Sequence, residues 1–305
     1  MPVHSFQLLD GTSIPWLAWG NGSALNGSED AIEKGTIALQ NGINHIDTAQ
    51  WYETEAETAV SIKRAGLSKD QVYVTSKLSW VTDGKSLTLE QARNRIEESL
   101  EKLECVPDLF LIHNPFVAVP GELKQMWKIL ENFKDEGKLK NIGVSNFRPQ
   151  DLETILGGAK YTPVVNQLEF HPYLLAHLEP VLEIHKKHGI ITESYGSLTP
   201  LIRHPTGGPL RAALEMISTR ISTTAGKQVN PTAVLLLWIR AQGAVAVTAS
   251  GNAQRLQWLG EVAKLPQLLT EEEIERITNI GKTVHFRHYR EHMEKDFPLP
   301  SLPSQ

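Results

Sequence analysis

The sequence predicts an α/β protein in which eight parallel strands close into a (β/α)8 TIM barrel. Eight short apolar segments recur along the 305 residues, amphipathic stretches of helical length separate them, and no hairpin signal follows the first segment. Parallel strands need a crossover connection, so strict alternation of strands and helices indicates a parallel sheet. Eight repeats of the unit favour closure of that sheet into a barrel.

The predicted barrel strands are short and mostly apolar. They cover residues 17–20, 43–47, 72–77, 109–113, 142–145, 164–168, 190–195 and 244–248. Two further short segments, residues 6–9 and 14–17, are joined through Asp10-Gly11, a dipeptide typical of hairpin turns. We expect this N-terminal β-hairpin to plug one end of the barrel.

Helix signals lie between the strands. Thr88, with Gln91 three residues later, predicts a capped helix that runs to about Leu103. Ser28 is the predicted cap of another helix, which ends at Gln40.

Two stretches of the chain are longer than one strand and one helix of the barrel require. Residues 196–227 predict a long loop followed by a helix, and the C-terminal tail after Gly281 is expected to lie over the barrel mouth. No linker divides the core, so we expect one domain over residues 1–305.

Composition excludes several classes of protein. The 30 Lys and Arg against 35 Asp and Glu give a net charge of −5 without a block of like charge, which argues against nucleic-acid and membrane partners. Cys105 is the single cysteine, so neither an internal disulfide nor a thiolate zinc cluster can form. No secretion signal or membrane span is visible. We expect a soluble cytoplasmic protein, a monomer or weak homodimer, that binds a small molecule.

Polar residues end several predicted strands where an apolar strand does not need them. In a barrel of this kind these ends converge on one mouth, where catalytic loops lie. Any one such residue alone is explained as a solvated loop group, but six strands in succession point to a site. The residues are Asp47, Lys77, His113, Ser145, Asn146, Gln167 and Tyr195.

Four of the residues near this mouth are of the types that acid catalysis of hydride addition to a carbonyl group needs. Tyr52 follows Asp47 in a loop, and its phenol can donate a proton. The positive charge of Lys77 favours the phenolate and lowers the ordinary phenol pKa of about 10. Asp47 holds that ammonium, and His113 can orient the carbonyl oxygen. No metal is required.

Several segments resemble the signatures of the aldo-keto reductase superfamily, and the resemblance extends along nearly the whole chain. These segments are Asp47-Thr48-Ala49-x-x-Tyr52-x-x-Glu55, Thr75-Ser76-Lys77, Leu111-Ile112-His113, Ile142-Gly143-Val144-Ser145-Asn146-Phe147 and Asn166-Gln167-x-Glu169-x-His171-Pro172-Tyr173.

The resemblance implies a catalytic tetrad of Asp47, Tyr52, Lys77 and His113 and a bound nicotinamide cofactor, NADPH. By the same resemblance, Ser145, Asn146 and Gln167 hold the carboxamide of the nicotinamide, and Tyr195 stacks under the nicotinamide ring. The implied cofactor-binding residues are Gly22, Ser23, Asp47, Ser145, Asn146, Gln167, Tyr195, Gly196, Ser197, Leu198, Thr248, Ser250, Gly251, Asn252 and Arg255. The implied substrate-pocket residues are Ala24, Trp51, Tyr52, His113 and Asn114.

Departures from the family pattern bear on substrate and cofactor. Asn114 and Ala24 stand where many members carry aromatic residues. These two departures, together with the loop 194–199, resemble the fungal branch of the family that reduces α-keto amides, conjugated polyketones and ketopantoyl lactone. Ala249 replaces a lysine of the segment that binds the adenosine 2′-phosphate, whereas Arg255 remains. An arginine fork without an acidic neighbour favours NADPH over NADH, with a reduced margin.

The same residues leave other functions open. An alcohol dehydrogenase that runs in the oxidative direction would use an identical site. A cofactor-sensing regulatory subunit is a second alternative, and a catalytically inactive barrel is a third. The complete tetrad weighs against the regulatory subunit, and an inactive barrel predicts that no cofactor binds.

Overall fold

The computed structural model describes residues 4–22, 25–80, 84–226 and 228–304. Eight of its strands form a closed parallel barrel in chain order, with the last strand paired to the first, which confirms the predicted fold class. They are β3 (Leu17–Gly20), β4 (His45–Asp47), β5 (Tyr73–Leu78), β6 (Leu109–Ile112), β7 (Asn141–Ser145), β8 (Val165–Glu169), β9 (Ile191–Tyr195) and β10 (Val245–Thr248).

Strand β3 has the predicted bounds, and the other barrel strands differ from the predicted ones by one or two residues. β4 begins at His45 rather than at Ile43, because the Ile43 amide donates to the carbonyl of Ala38 and closes the turn after a helix. β8 extends to Glu169, which pairs with Tyr195 of β9. These shifts leave the predicted polar residues at the carboxyl ends of the strands.

The N-terminal hairpin closes the end of the barrel opposite to the mouth. Its strands β1 (Ser5–Gln7) and β2 (Ser13–Pro15) pair antiparallel. β2 ends two residues before the predicted end of the second segment, because Leu17 already belongs to the barrel. Ile14 is fully buried against the first residues of three barrel strands. The plug is therefore apolar and well packed.

Helices connect the barrel strands on the outside. They are α1 (Asp30–Gln40), α2 (Glu55–Arg64), α3 (Leu89–Leu103), α4 (Leu123–Asp135), α5 (Pro149–Leu156), α6 (Leu175–His188), α7 (Thr199–Ile202), α8 (Leu210–Ala225), α9 (Pro231–Ala241), α10 (Ala253–Ala263) and α11 (Glu271–Gly281). One-turn 3₁₀ helices cover Gln50–Tyr52, Lys69–Gln71, Pro115–Val117 and Pro172–Leu174. None of the helices within the described ranges is long and apolar enough to cross a membrane.

Capping follows the predictions at α3 and departs from them at α1. The Thr88 hydroxyl accepts the Gln91 amide at the start of α3, in a reciprocal capping box. At α1 the cap position falls on Glu29, and Ser28 lies one residue further out. The Ser28 hydroxyl nevertheless accepts the Asp30 amide, so the predicted residue still supplies a bond to the first turn.

The C-terminal tail lies over the barrel mouth, as predicted. The carboxylate of Glu169, at the end of β8, accepts the backbone amides of His288 and Tyr289, each at 3.0 Å. Arg287 is buried, and its guanidinium lies 3.6 Å from the same carboxylate. Tyr289 then packs edge-on against Tyr195. A buried ion pair and two hydrogen bonds thus hold the tail to the barrel.

Candidate active site

A buried ion pair forms the base of the site. Lys77, on β5, is completely buried, and its Nζ lies 2.6 Å from the Asp47 carboxylate on the neighbouring strand β4. The same ammonium donates to the carbonyl of Thr48 at 2.9 Å. Its Nζ lies 4.8 Å from the centre of the Tyr52 ring. The buried ammonium of Lys77 is therefore both paired with a carboxylate and hydrogen-bonded, which offsets the cost of its burial.

The loop after β4 positions Tyr52 through a short 3₁₀ helix and a network of hydroxyl groups. The Tyr52 amide donates to the carbonyl of Ala49, which closes the helical turn. Thr54 donates to the amide oxygen of Asn21 at 2.8 Å and lies 3.0 Å from the Thr48 hydroxyl. These groups are buried, so the loop is tied to the barrel on both sides of the tyrosine.

His113 completes the predicted tetrad directly beyond β6. Its Nε2 lies 3.5 Å from the Tyr52 hydroxyl, and the two rings meet edge-on. Its Nδ1 lies 2.7 Å from the hydroxyl of Ser79, a residue that the motifs do not single out. The structure therefore brings Asp47, Tyr52, Lys77 and His113 around one point.

Burial and neighbouring charges decide which of these groups carry a proton. Burial alone would lower the pKa of Lys77, but the Asp47 carboxylate beside it raises that pKa above its ordinary value. Burial raises the pKa of Tyr52, and burial together with the charge of Lys77 holds the pKa of His113 well below its usual range. At neutral pH the site holds a charged Lys77, a protonated Tyr52 and a neutral His113.

One electrostatic expectation needs correction. The charge of Lys77 does lower the pKa of Tyr52, as expected, but the net shift is upward. The cost of burying the phenolate outweighs the attraction of the ammonium. Lys77 therefore limits a rise in the pKa and does not bring it below that of a free phenol.

An amide-rich wall lies next to the tetrad at the ends of β7 and β8. Asn146 donates to the carbonyl of His113 at 3.0 Å and accepts the Tyr195 hydroxyl at 2.7 Å. Ser145 donates to the carbonyl of Gln167, and Gln167 donates to the second oxygen of Asp47 at 2.8 Å. The predicted amide residues and Tyr195 are thus in direct contact with each other or with the tetrad.

Asn146 adopts a backbone conformation that few residue types tolerate. Its φ is 59°, in the left-handed region, where asparagine is several-fold enriched among non-glycine residues. The turn comes directly after β7, and the amide is held there by hydrogen bonds with His113, Ser145 and Tyr195.

Glu193 is a buried carboxyl group that sequence reasoning missed. It lies on β9, fully buried, and accepts the second Gln167 hydrogen at 2.9 Å. Its other oxygen lies 3.8 Å from Nε2 of His45. Burial, and next the charge of Asp47, raise the pKa of Glu193 to about 8. The sequence does contain a signal for Glu193, because a carboxyl group in the middle of an otherwise buried strand is unusual.

The predicted cofactor residues at the remaining strand ends occupy the same face of the barrel. Gly22 follows β3, and a side-chain carbon there would come within 3.0 Å of the Tyr52 ring. Ser23, a predicted cofactor residue, and Ala24, a predicted pocket residue, lie outside the described residues. Gly196, Ser197 and Leu198 follow β9, and the Ser197 hydroxyl lies 2.7 Å from that of Ser194.

The segment after β10 presents exposed polar groups at the start of α10. Asn252 caps the helix by accepting the Arg255 amide, and the Ser250 hydroxyl accepts the Asn252 amide. Gly251 and the side chain of Arg255 are exposed, whereas Thr248 is buried at the end of the strand. The indole of Trp19, on β3, donates to the carbonyl of Ser250 and ties this segment to the barrel.

Aromatic residues surround the opening above the tetrad. Trp51 is 41% exposed and packs edge-on against Trp80, which in turn meets His292 of the tail. An open pocket of 370 Å³ lies here, lined by Trp80, Phe116, Glu291, His292 and Lys295. The tail therefore supplies part of the wall.

Asn114, a predicted substrate-pocket residue, is held by a local hydrogen bond just beyond β6. It is only 3% exposed, and its amide oxygen accepts the backbone amide of Phe116 at 2.9 Å. The chain leaves the strand here and begins a 3₁₀ turn, whose first amides need an acceptor. Local capping therefore fixes the side chain through its amide oxygen, and its place in the substrate pocket stays a prediction.

No cluster of three or more His, Cys, Asp or Glu side chains suitable for a metal ion occurs within the described ranges. Cys105 is a free thiol of intermediate exposure.

Comparisons with known proteins agree with this geometry. A profile described as "Aldo/keto reductase family" matches residues 17–282. The NAD/NADP-dependent indole-3-acetaldehyde reductase of Schizosaccharomyces pombe is 32% identical over 295 residues, which cover 93% of this chain and 98% of that protein. The NADPH-dependent alpha-keto amide reductase of Saccharomyces cerevisiae is 30% identical over 290 residues, which cover 90% of each. The crystal structure of a Bombyx mori aldo-keto reductase in complex with NADP matches with a TM-score of 0.76 and 26% identity, over 92% of this chain and 93% of that one.

Proposed function

The chain belongs to the aldo/keto reductase family of NAD(P)H-dependent oxidoreductases that act on carbonyl groups, and we propose that it reduces an aldehyde or an activated ketone with NADPH, with Tyr52 as the proton donor. One observation carries the proposal: the buried Lys77–Asp47 pair lies against the Tyr52 ring, and His113 lies 3.5 Å from the Tyr52 hydroxyl.

Tyr52 donates its proton to the carbonyl oxygen as that oxygen gains negative charge. Because burial keeps the pKa of Tyr52 above its ordinary value, the phenol is fully protonated at neutral pH. Once the proton has left, the ammonium of Lys77, 4.8 Å from the centre of the ring, stabilises the phenolate. Asp47 holds that ammonium in place.

His113 orients the carbonyl oxygen toward Tyr52. Its pKa is held well below the usual range, so the ring is neutral and does not compete with Tyr52 as the acid. Its Nε2 lies close enough to the phenol for both groups to contact the same oxygen atom. The imidazole is in turn fixed by Ser79 on its other side.

The residues near the tetrad fit a nicotinamide cofactor. Ser145, Asn146 and Gln167 offer hydroxyl and amide groups for a carboxamide, and the Tyr195 ring offers a planar surface at the end of the next strand. When bound, NADPH supplies the hydride that is added to the carbonyl carbon. Arg255 and Ser250 would hold the 2′-phosphate, since both lie at the start of α10, where the helix dipole favours an anion.

The substrate class is proposed from the surroundings of the tetrad and from the relatives. The aromatic side chains of Trp51, Trp80 and Phe116 surround the opening, which suits a substrate with an apolar or aromatic part. A relative with 30% identity is named as an alpha-keto amide reductase. We therefore propose substrates in which a second carbonyl lies next to the reduced one, such as α-dicarbonyls, keto esters and keto lactones.

Oxidation of NADPH, followed with a panel of aldehydes, diketones, keto esters and keto lactones, tests the function. Tyr52→Phe should lose about 10²- to 10⁴-fold in kcat, the usual contribution of a general acid, and keep its affinity for NADPH. Tyr161→Phe is a matched control, because that hydroxyl bonds to Asp135 at the surface. Full turnover by Tyr52→Phe, or no turnover of any carbonyl by the native protein, would contradict the proposal.

A further inference from the structure

Ser79 is held in one place directly under the imidazole of His113. It follows the last residue of β5, two positions after Lys77, so both side chains turn to the same side of the sheet. Its backbone amide donates to the side-chain oxygen of Gln50 at 2.9 Å, and the whole residue is only 1% exposed. Its hydroxyl lies 2.7 Å from Nδ1 of His113.

The neutral imidazole carries one ring hydrogen, and the position of that hydrogen decides what His113 can do. If Nδ1 carries it, the ring donates to Ser79, and the hydroxyl hydrogen must turn to the carbonyl of Lys77, 3.4 Å away. If Nε2 carries it, the Ser79 hydroxyl donates to Nδ1 over 2.7 Å. The second arrangement uses the short contact for the hydroxyl hydrogen, whereas the first leaves that hydrogen a long and weak bond.

The two arrangements have opposite consequences for Tyr52. A bare Nε2 would accept the phenol hydrogen and withhold it from the substrate. An Nε2–H instead points a donor at the Tyr52 oxygen and leaves the phenol hydrogen free. Only the second arrangement gives the carbonyl oxygen two donors, one from His113 and one from Tyr52.

We infer that Ser79 is a positioning residue, which donates its hydroxyl hydrogen to Nδ1 of His113 and so keeps the Nε2–H form of the ring that the reduction requires. The inference rests on the proposed function for its catalytic meaning, but the hydrogen-bond assignment stands on geometry alone. Ser79 acts only through His113, since the imidazole ring lies between its hydroxyl and the Tyr52 phenol.

Nitrogen NMR of the native protein tests the assignment directly. In protein labelled with ¹⁵N-histidine, long-range proton–nitrogen spectra identify which ring nitrogen carries the hydrogen. The His113 signals are assigned among the 11 histidines by comparison with His113→Gln. We expect an unprotonated Nδ1 and a protonated Nε2. A hydrogen on Nδ1 would overturn the inference.

Variants of Ser79 test its role. Ser79→Ala should increase the Nδ1–H population of His113 and lower kcat about tenfold, with unchanged affinity for NADPH, because one orienting hydrogen bond is lost. Ser79→Thr keeps the hydroxyl and should restore both the tautomer and kcat. Ser218→Ala is the matched control, since it removes a buried serine hydroxyl on α8 that donates to the carbonyl of Val229.

The outcomes separate this inference from the proposed function. An unchanged tautomer and an unchanged kcat in folded Ser79→Ala would overturn the positioning role. A native protein with the Nε2–H form but without carbonyl turnover would refute the proposed function and leave the hydrogen-bond assignment intact. If Ser79→Ala does not fold, the spectrum of the native protein and the Ser79→Thr variant still decide the assignment.

Discussion

The protonation states of the residues at the mouth are set by burial and by the charges of neighbouring residues. Lys77 keeps its charge because Asp47 lies 2.6 Å away, and Tyr52 stays protonated because burial disfavours the phenolate. Removal of one member therefore changes the proton affinity of another. At this scale the electrostatic contribution of a single side chain is measurable as a pKa shift of its neighbour.

Lys77→Met should raise the pKa of Tyr52 further, because an attractive positive charge is removed while the burial remains. The alkaline fall of the reduction rate should move to higher pH, since the phenol holds its proton longer. We also expect kcat to fall about 100-fold, the lower range for acid catalysis, because the phenolate loses its stabilising charge. The measurement is the pH dependence of NADPH oxidation under saturating substrate.

Lys77→Met leaves the buried Asp47 carboxylate without its partner, which destabilises the folded protein, so a control is needed. The double variant Lys77→Met with Asp47→Asn removes both charges and tests whether misfolding explains the loss. An alkaline limb at the same pH in native and variant protein would mean that Lys77 has only a structural role.

Arg255→Ala should weaken NADPH binding by about 1.5 kcal/mol, the lower end for a hydrogen bond to a charged group, because the side chain is exposed. This corresponds to about a tenfold rise in Kd. NADH lacks the 2′-phosphate, so its Kd should not change. Titration of both cofactors into both proteins measures the difference, with Arg93→Ala on the exposed face of α3 as the control. Equal losses for the two cofactors would show that Arg255 does not bind the phosphate.

The connecting elements are constrained wherever they pass the tetrad. The loop before Tyr52 is fixed by buried hydroxyl groups, and Gly22 of the preceding strand end lies directly against the Tyr52 ring. On the other side Glu169 holds the tail, whose Tyr289 packs against Tyr195. Small changes in these segments should therefore affect turnover more than stability.

Gly22→Ala tests this coupling between elements. The added methyl group would come within 3.0 Å of the Tyr52 ring, so the ring must shift. We expect kcat to fall about tenfold, because misplacement of a proton donor weakens catalysis strongly, whereas the urea midpoint of unfolding should change little. Gly157→Ala, at the end of α5, is the control. Unchanged turnover would indicate that the Tyr52 ring accommodates the methyl group without leaving its catalytic position.

The closed barrel explains why much of the molecule was predictable from its sequence. Each barrel strand is signalled locally, and the barrel brings all carboxyl ends to one mouth, so the tetrad and the amide wall could be anticipated. Side-chain contacts between neighbouring strands were not predictable in the same way. Ser79 meets His113, and Glu193 meets Gln167, only because the strand registers bring them together. The capping bond from the Phe116 amide to the Asn114 amide oxygen was likewise not predicted.

The polar barrel interior also makes the stability of the whole molecule depend on pH. Burial raises the pKa of Glu193 to about 8, whereas an unfolded glutamate has a pKa of about 4.3. Between these two values the folded protein keeps a proton that the unfolded chain has released. The favourable contribution of this group is therefore complete below about pH 4.3 and is lost as the pH rises through the folded pKa.

Glu193→Gln should remove this pH dependence while its amide oxygen still accepts the Gln167 hydrogen. In the window between the two pKa values, the free energy of unfolding of the native protein should fall by about 1.4 kcal/mol per pH unit relative to the variant. Urea unfolding at several pH values measures the difference. Glu215→Gln replaces an exposed glutamate of α8 and should follow the native protein. If the free energies of unfolding of Glu193→Gln and the native protein differ by the same amount at every pH in this window, Glu193 is ionised in the folded barrel. The Asp47–Lys77 pair must then function beside a second buried negative charge.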